Sequence, residues 1–130
     1  MGYRVLTVLL LLVALAAPIG VTAANLTPLV LGWEQFFKID WQTGQRGSKP
    51  VVYGHLKNDW GMPATKIQLL VEGLDASGAV VGQKVAWFGN MLNPGIREYF
   101  EVPVPWQTPT YRVSVFAFDW VQAGGGGNQL

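Results

Sequence analysis

Residues Thr110–Trp120 read "TYRVSVFAFDW". A strand with one wet face alternates apolar and polar residues, and this one is apolar on both sides. Tyr111, Val113, Val115 and Ala117 share one parity, while Phe116, Phe118 and Trp120 share the other. One row is enough to line a core, so the second row needs an account. In one reading Phe116, Phe118 and Trp120 face the core. The other row then lies under a loop, under the strand at 33–41 or in the outer lattice of a central strand. The apolar segment "NLTPLVLGW" (25–33) is available as a cover. In a sharper reading, part of the aromatic row joins Trp60, Trp87 or Trp106 in an exposed patch. Contiguous apolar patches on soluble proteins mark partner or ligand surfaces, and Trp and Tyr concentrate binding energy there.

Working outward from this strand, the same period of two recurs. "WEQFFKIDW" sets Trp33, Phe37, Ile39 and Trp41 against Glu34, Lys38 and Asp40. "TGQRGSKP" is a loop by its Gly, Ser and Pro content. "VVYGHLKND" alternates Val52, Gly54 and Leu56 against Val51, Tyr53, His55 and Lys57, and "WGMP" turns the chain. "TKIQLLVEGLD" sets Ile67, Leu69 and Val71 against Lys66, Gln68 and Glu72. "DASG" is a turn in which Asp75 bonds the backbone and Gly78 supplies positive φ. "AVVGQKVAWF" follows with Val81, Val85 and Trp87 on one face, and "NMLNPG" turns again. "IREYFEVPVP" returns extended until Pro103 and Pro105, which cannot donate to a ladder. Six or seven short strands without a helix predict an antiparallel sandwich or a small barrel.

The first residues stand apart. "MGYRVLTVLLLLVALAAPIGVTA" has Arg4, an uncharged and mostly apolar run from Val5 to Ala17, Pro18, and then small residues. That is the layout of a signal peptide, with cleavage expected after Ala23; the alternative is a retained membrane anchor. Residues 1–23 are therefore assigned to the leader, 24–123 to one β-domain and 124–130, with its run of glycines, to a flexible tail. Without Arg4 the domain carries 9 − 1 = 8 basic side chains against 8 acidic ones. A balance near zero argues against nucleic acid, and it offers an anionic membrane no polybasic signal. With no cysteine, an exported domain of this kind must be held by burial alone.

Three stretches in fixed order carry a family resemblance. "VVYGHLKN" is a V-x-G-x-hydrophobic-x-N strand, and "LLVEGLDASGAVVG" is an apolar strand closing on an Asp-x-x-Gly turn. "LNPGIREYFEV" adds a Pro-Gly turn four residues ahead of an aromatic. Over residues 51–121 the chain resembles the FxLYD-type domains, with Val71-Glu72-Gly73-Leu74-Asp75 at the place of the naming motif. The resemblance implies an immunoglobulin-like antiparallel β-sandwich of about seven strands in an extracytoplasmic module. It assigns no catalytic or ligand-binding residue. From the residues themselves, Gly54 in mid-strand implies a bulge or a bulky neighbour's close approach, such as a Trp across the sandwich. Asn58 at a strand end is suited to satisfy loop backbone groups.

Chemistry is sparse. The one histidine, His55, sits among outward residues, and a triad with Ser48 would lack a nucleophile elbow. Glu72, Asp75, Glu98 and Glu101 occupy positions where strands and turns place charge in any case. No His or Cys pair suggests zinc, "DASG" lacks the further ligands of a calcium loop, and no cofactor is implied. The sequence thus predicts a non-catalytic, periplasmic or secreted interaction module. Its expected partner is another protein, bound by an aromatic patch or by strand addition, with self-association through an open edge as a corollary. The alternative is a carbohydrate-binding module using exposed Trp or Tyr rings. Candidate binding residues are Phe116, Phe118, Trp120, Trp60, Trp87 and Trp106. A membrane enters only if the leader is retained.

Overall fold

The computed structural model describes residues 25–122; the leader expected at 1–23 and the tail at 124–130 lie outside the described residues. The chain forms a β-sandwich of two three-stranded antiparallel sheets. Its strands are β1 (Phe37–Arg46), β2 (Lys49–Asn58), β3 (Ala64–Leu74), β4 (Val80–Phe88), β5 (Arg97–Pro103) and β6 (Thr110–Trp120). One sheet runs β1-β2-β5 and the other β4-β3-β6. In immunoglobulin lettering these are A-B-E and C′-C-F, so the described residues hold six strands where about seven were expected. The place beside F, where strand G would lie, holds no strand among the described residues.

Two boundaries differ from the sequence reading. The loop expected at 43–50 contracts to Gly47 and Ser48, because β1 and β2 pair all the way to Arg46↔Lys49. Gly47, at φ +65°, permits the tight hairpin. Trp33 belongs to a single 3₁₀ turn ahead of β1 (Trp33–Gln35), yet it is still buried against the core.

The core fills from inward rows: Phe37 and Leu56 with Val52, Phe100 and Val102 from one sheet, and Ile67, Leu69, Val71, Val113 and Val115 from the other. Gly54 answers to a close approach, but by backbone rather than by a Trp. A Cβ there would lie 1.9 Å from the Asp40 carbonyl oxygen of β1. The Trp-on-glycine contact occurs elsewhere. Gly73 and Gly82 are cross-strand partners, and together they leave a trough for the indole of Trp106. The corner before β6 is fixed by Tyr111, whose hydroxyl donates to the Trp106 carbonyl at 2.8 Å. The same hydroxyl accepts from the Thr108 N–H at 3.2 Å. This matches the tyrosine corner of immunoglobulin-like sandwiches at the start of strand F. Val113, two residues on, stands where antibody domains carry a cysteine.

The two apolar rows of β6 are resolved by a bulge. Leu69 pairs with Val115 and Gln68 with Ala117, so Phe116 has no partner on β3. Just beyond, Thr65 pairs with Asp119, leaving Lys66 and Ile67 opposite Phe118 alone. Lys66 takes φ +53° to make that adjustment. An extra residue flips the faces downstream. Tyr111, Val113 and Val115 therefore point inward first, and Phe118 and Trp120 pack against the core after them. Trp120 stacks on Phe37 with ring centroids 5.8 Å apart and planes 6° apart, and Phe118 meets Phe37 edge-on at 4.9 Å. Both rows line the core, in succession.

Candidate functional site

The six aromatic candidates do not form one surface. Phe118 and Trp120 belong to the core margin, and Trp106 fills its glycine trough at the opposite end of the sandwich. Phe116 sits half-buried at the bulge. Trp60, 44% exposed, lies edge-on against Phe36 at 4.8 Å in the β2–β3 connection. Trp87 is 69% exposed on the outer face of β4, on the same parity as Val81 and Val85. That parity faces outward because Gly82, Lys84, Ala86 and Phe88 take the inner side, with Gly82 needed beneath Trp106. The patch postulated for Trp60, Trp87 and Trp106 is thus dispersed by β4's orientation and by the burial of Trp106.

An opening lies along the edge of β6 that pairs with no strand among the described residues. It is a cleft of about 510 Å³, lined on one side by residues 25–28 and on the other by Trp33, Glu34, Ile39 and Trp41. Arg112, Val113 and Ser114 of β6 lie between them. Segment 25–31 makes this arrangement. The side-chain amide of Gln83 clasps Leu26, accepting from its N–H and donating to its carbonyl at 2.9 Å each. The segment then reaches the rim of β6, where the Leu29 N–H donates to the Phe116 carbonyl at 2.9 Å. The segment does act as a cover, but over the outer face of the β4-β3-β6 sheet, where Leu70 is fully buried, and not over the Tyr111, Val113 and Val115 row expected beneath it, which faces the core.

Two polar features sit beneath that cover. Glu72, expected at an exposed position, is buried. It accepts from Arg112 Nε at 2.8 Å and Gln83 Nε2 at 2.9 Å. Its hydrogen bond raises the Arg112 guanidinium pKa above its ordinary value. Ser114 is 7% exposed, lines the cleft, and its hydroxyl has no hydrogen-bond partner among the described residues. A buried hydroxyl without a partner is costly and uncommon.

At the same edge, the Trp41 indole N–H donates to the Tyr111 carbonyl at 3.1 Å. That carbonyl therefore turns away from β3. Antiparallel alternation turns the backbone groups of Val113 and Val115 the same way, toward the cleft. Between the Trp41 and Leu29 contacts, the free edge is a window about four residues long.

The other titratable groups are dispersed. His55 stands on the open outer face of the β1-β2-β5 sheet, its Nδ1 3.6 Å from Asp40 Oδ1. Ser48 lies seven residues away in the β1–β2 turn, roughly 23 Å along an extended chain, so the two do not meet. Asp75 organises its turn. The Ser77 hydroxyl at 2.6 Å and the N–H groups of Ser77 and Ala79 hold its carboxyl below the ordinary range. Glu101 is likewise lowered by the Tyr99 hydroxyl and then by Arg46, while Glu98 accepts from Asn90 at 3.2 Å. Asn58 does what its position implied. Fully buried, it donates to the carbonyls of Met62 and Leu92 and accepts from the Trp60 N–H, joining two loops. No protein-family model matches the chain, and a search of curated proteins found no match.

Proposed function

We propose that this protein is an extracytoplasmic, non-catalytic recognition module that binds a partner protein by strand addition at β6. The observation that carries this reading is the edge of β6 that pairs with no strand among the described residues. It presents outward-turned backbone groups of Val113 and Val115 above a cleft with an apolar margin of Ile39, Trp41 and Val113. The occupant is an extended segment of alternating apolar residues. Its backbone continues the sheet, its apolar side chains enter the cleft, and a polar side chain meets the unpartnered Ser114 hydroxyl. The apolar leader and its small-residue end support export. The order of strands and turns in residues 51–121 supports kinship with the FxLYD-type domains.

The test supplies the missing strand. A five-residue Val/Thr strand fused after Leu130 should raise the melting temperature above that of a Pro-containing scrambled fusion. The gain should vanish in Val113→Pro, which removes an outward N–H but no bond to β3. Absence of any gain, or a gain indifferent to Val113→Pro, would refute an edge competent for strand addition.

A further inference from the structure

The outer face of the β1-β2-β5 sheet carries an arrangement independent of the β6 edge. Three cations stand in one cross-strand row: Lys38 pairs with Lys57, and Lys57 with Arg97. Like charges directly opposite one another destabilise a sheet, so the row costs stability in the free protein. Asp59 approaches Lys57 at 3.2 Å and Asp40 approaches Arg97 at 3.1 Å, while Lys38 has no ion pair among the described residues.

The next rows on the same face are Asp40-His55-Tyr99 and Gln42-Tyr53-Glu101, each displaced by about 7 Å along the strands. Tyr53 and Tyr99 lie 6.2 Å apart with planes 40° apart, and Tyr99 is 51% exposed. Both hydroxyls are pinned. Tyr53 donates to Gln42 at 3.2 Å, and Tyr99 donates to Glu101 at 2.6 Å, whose carboxylate Arg46 also holds. The rings are therefore fixed before any ligand arrives, which limits the entropy lost on binding.

We propose that this face binds a carboxylate-bearing glycan. A pyranose ring packs on the Tyr53–Tyr99 platform, and its uronate carboxylate lies over Lys38, Lys57 and Arg97. The carboxylates of Asp40 and Glu101 are acceptors only, and sugar hydroxyls are the donors that match them. Fixed aromatic rings interleaved with polar side chains are also what stacking on a sugar requires.

Affinity electrophoresis of the full chain in gels containing alginate, beside gels containing a neutral glucan, tests this. Retardation is expected in alginate, weakening as salt is raised, and not in the glucan. Lys38→Gln/Lys57→Gln should weaken alginate binding at least tenfold while leaving the melting temperature unchanged or higher, because like-charge repulsion is relieved. Tyr99→Ala should weaken binding comparably. Lys66→Gln/Lys84→Gln, which removes the same charge from the other sheet, should leave binding intact. Equal loss in that control, full binding by Tyr99→Ala, equal retardation by the glucan, or no retardation by alginate would each overturn the proposal. None of these outcomes depends on β6.

Discussion

Trp41 and Tyr111 join the two sheets at their open side: the indole N–H on β1 donates to a backbone carbonyl on β6 across 3.1 Å. The two strands are the unpaired margins of their sheets on this side, so this bond spans the seam that a seventh strand would otherwise cover. Trp41→Phe keeps most of the packing and removes the donor. Stability should fall by about 1 kcal/mol, seen as a lower urea midpoint with an unchanged m-value. An unchanged midpoint would show that the seam is held by apolar contact alone.

Asn58→Ala removes three hydrogen bonds from a fully buried site and strips the Met62 carbonyl and the Trp60 N–H of their side-chain partner, while the Leu92 carbonyl keeps the Ala64 N–H. The expected loss is about 3 kcal/mol. Asn58→Asp should not rescue it, because a carboxylate cannot donate to either carbonyl. Amide exchange should quicken first at Trp60 and Gly95, whose N–H groups bond the Asn58 side chain and carbonyl respectively.

Gly82→Ala would place a methyl 2.4 Å from the Trp106 indole. The overpacking should cost about 1–3 kcal/mol. In a Trp106→Ala background the same substitution should cost little, so a double-mutant cycle should return a coupling of at least 1 kcal/mol. Additive losses would place the constraint in the backbone instead.

Asp75 and Glu101 both have folded-state carboxyl pKa values below the ordinary range, through Ser77 and backbone N–H groups for the first and Tyr99 and Arg46 for the second. As pH falls, the unfolded chain takes up protons before the folded one. Their contribution is thus complete above the ordinary carboxylate pKa of about 4 and disappears as pH falls through the lower folded values. Melting temperature should be steady from neutrality to about pH 5 and then decline. An Asp75→Asn/Glu101→Gln variant should show a shallower acid decline; parallel acid limbs would refute the assignment.

Most of the architecture was legible because period two survives wherever the ladder is regular. Ile67, Leu69 and Val71 alternate cleanly, and all three line the core. Both faces of β6 were legible only as a puzzle. Lys66 carries no turn-residue signature at its positive φ, and nothing marks Phe116 as unpaired until the register is known. The burial of Trp106 had a signal that was passed over: Gly73 and Gly82, in successive strands joined by the DASG turn, fall opposite each other and vacate an indole-sized space. The row Lys38-Lys57-Arg97 could not be read from one strand at a time, since its members come from three.

Phe116 is surplus to the ladder, and that gives its position an unusual tolerance of changes in length. A descendant chain that dropped this one residue could keep every pairing with β3 and leave Phe118 and Trp120 against the core, now on a regular strand. Loss of Asp119, inside the regular part of the ladder, would instead carry Trp120 to the wet face and off the Phe37 ring. Deletion of Phe116 should be forgiven where deletion of Asp119 is not.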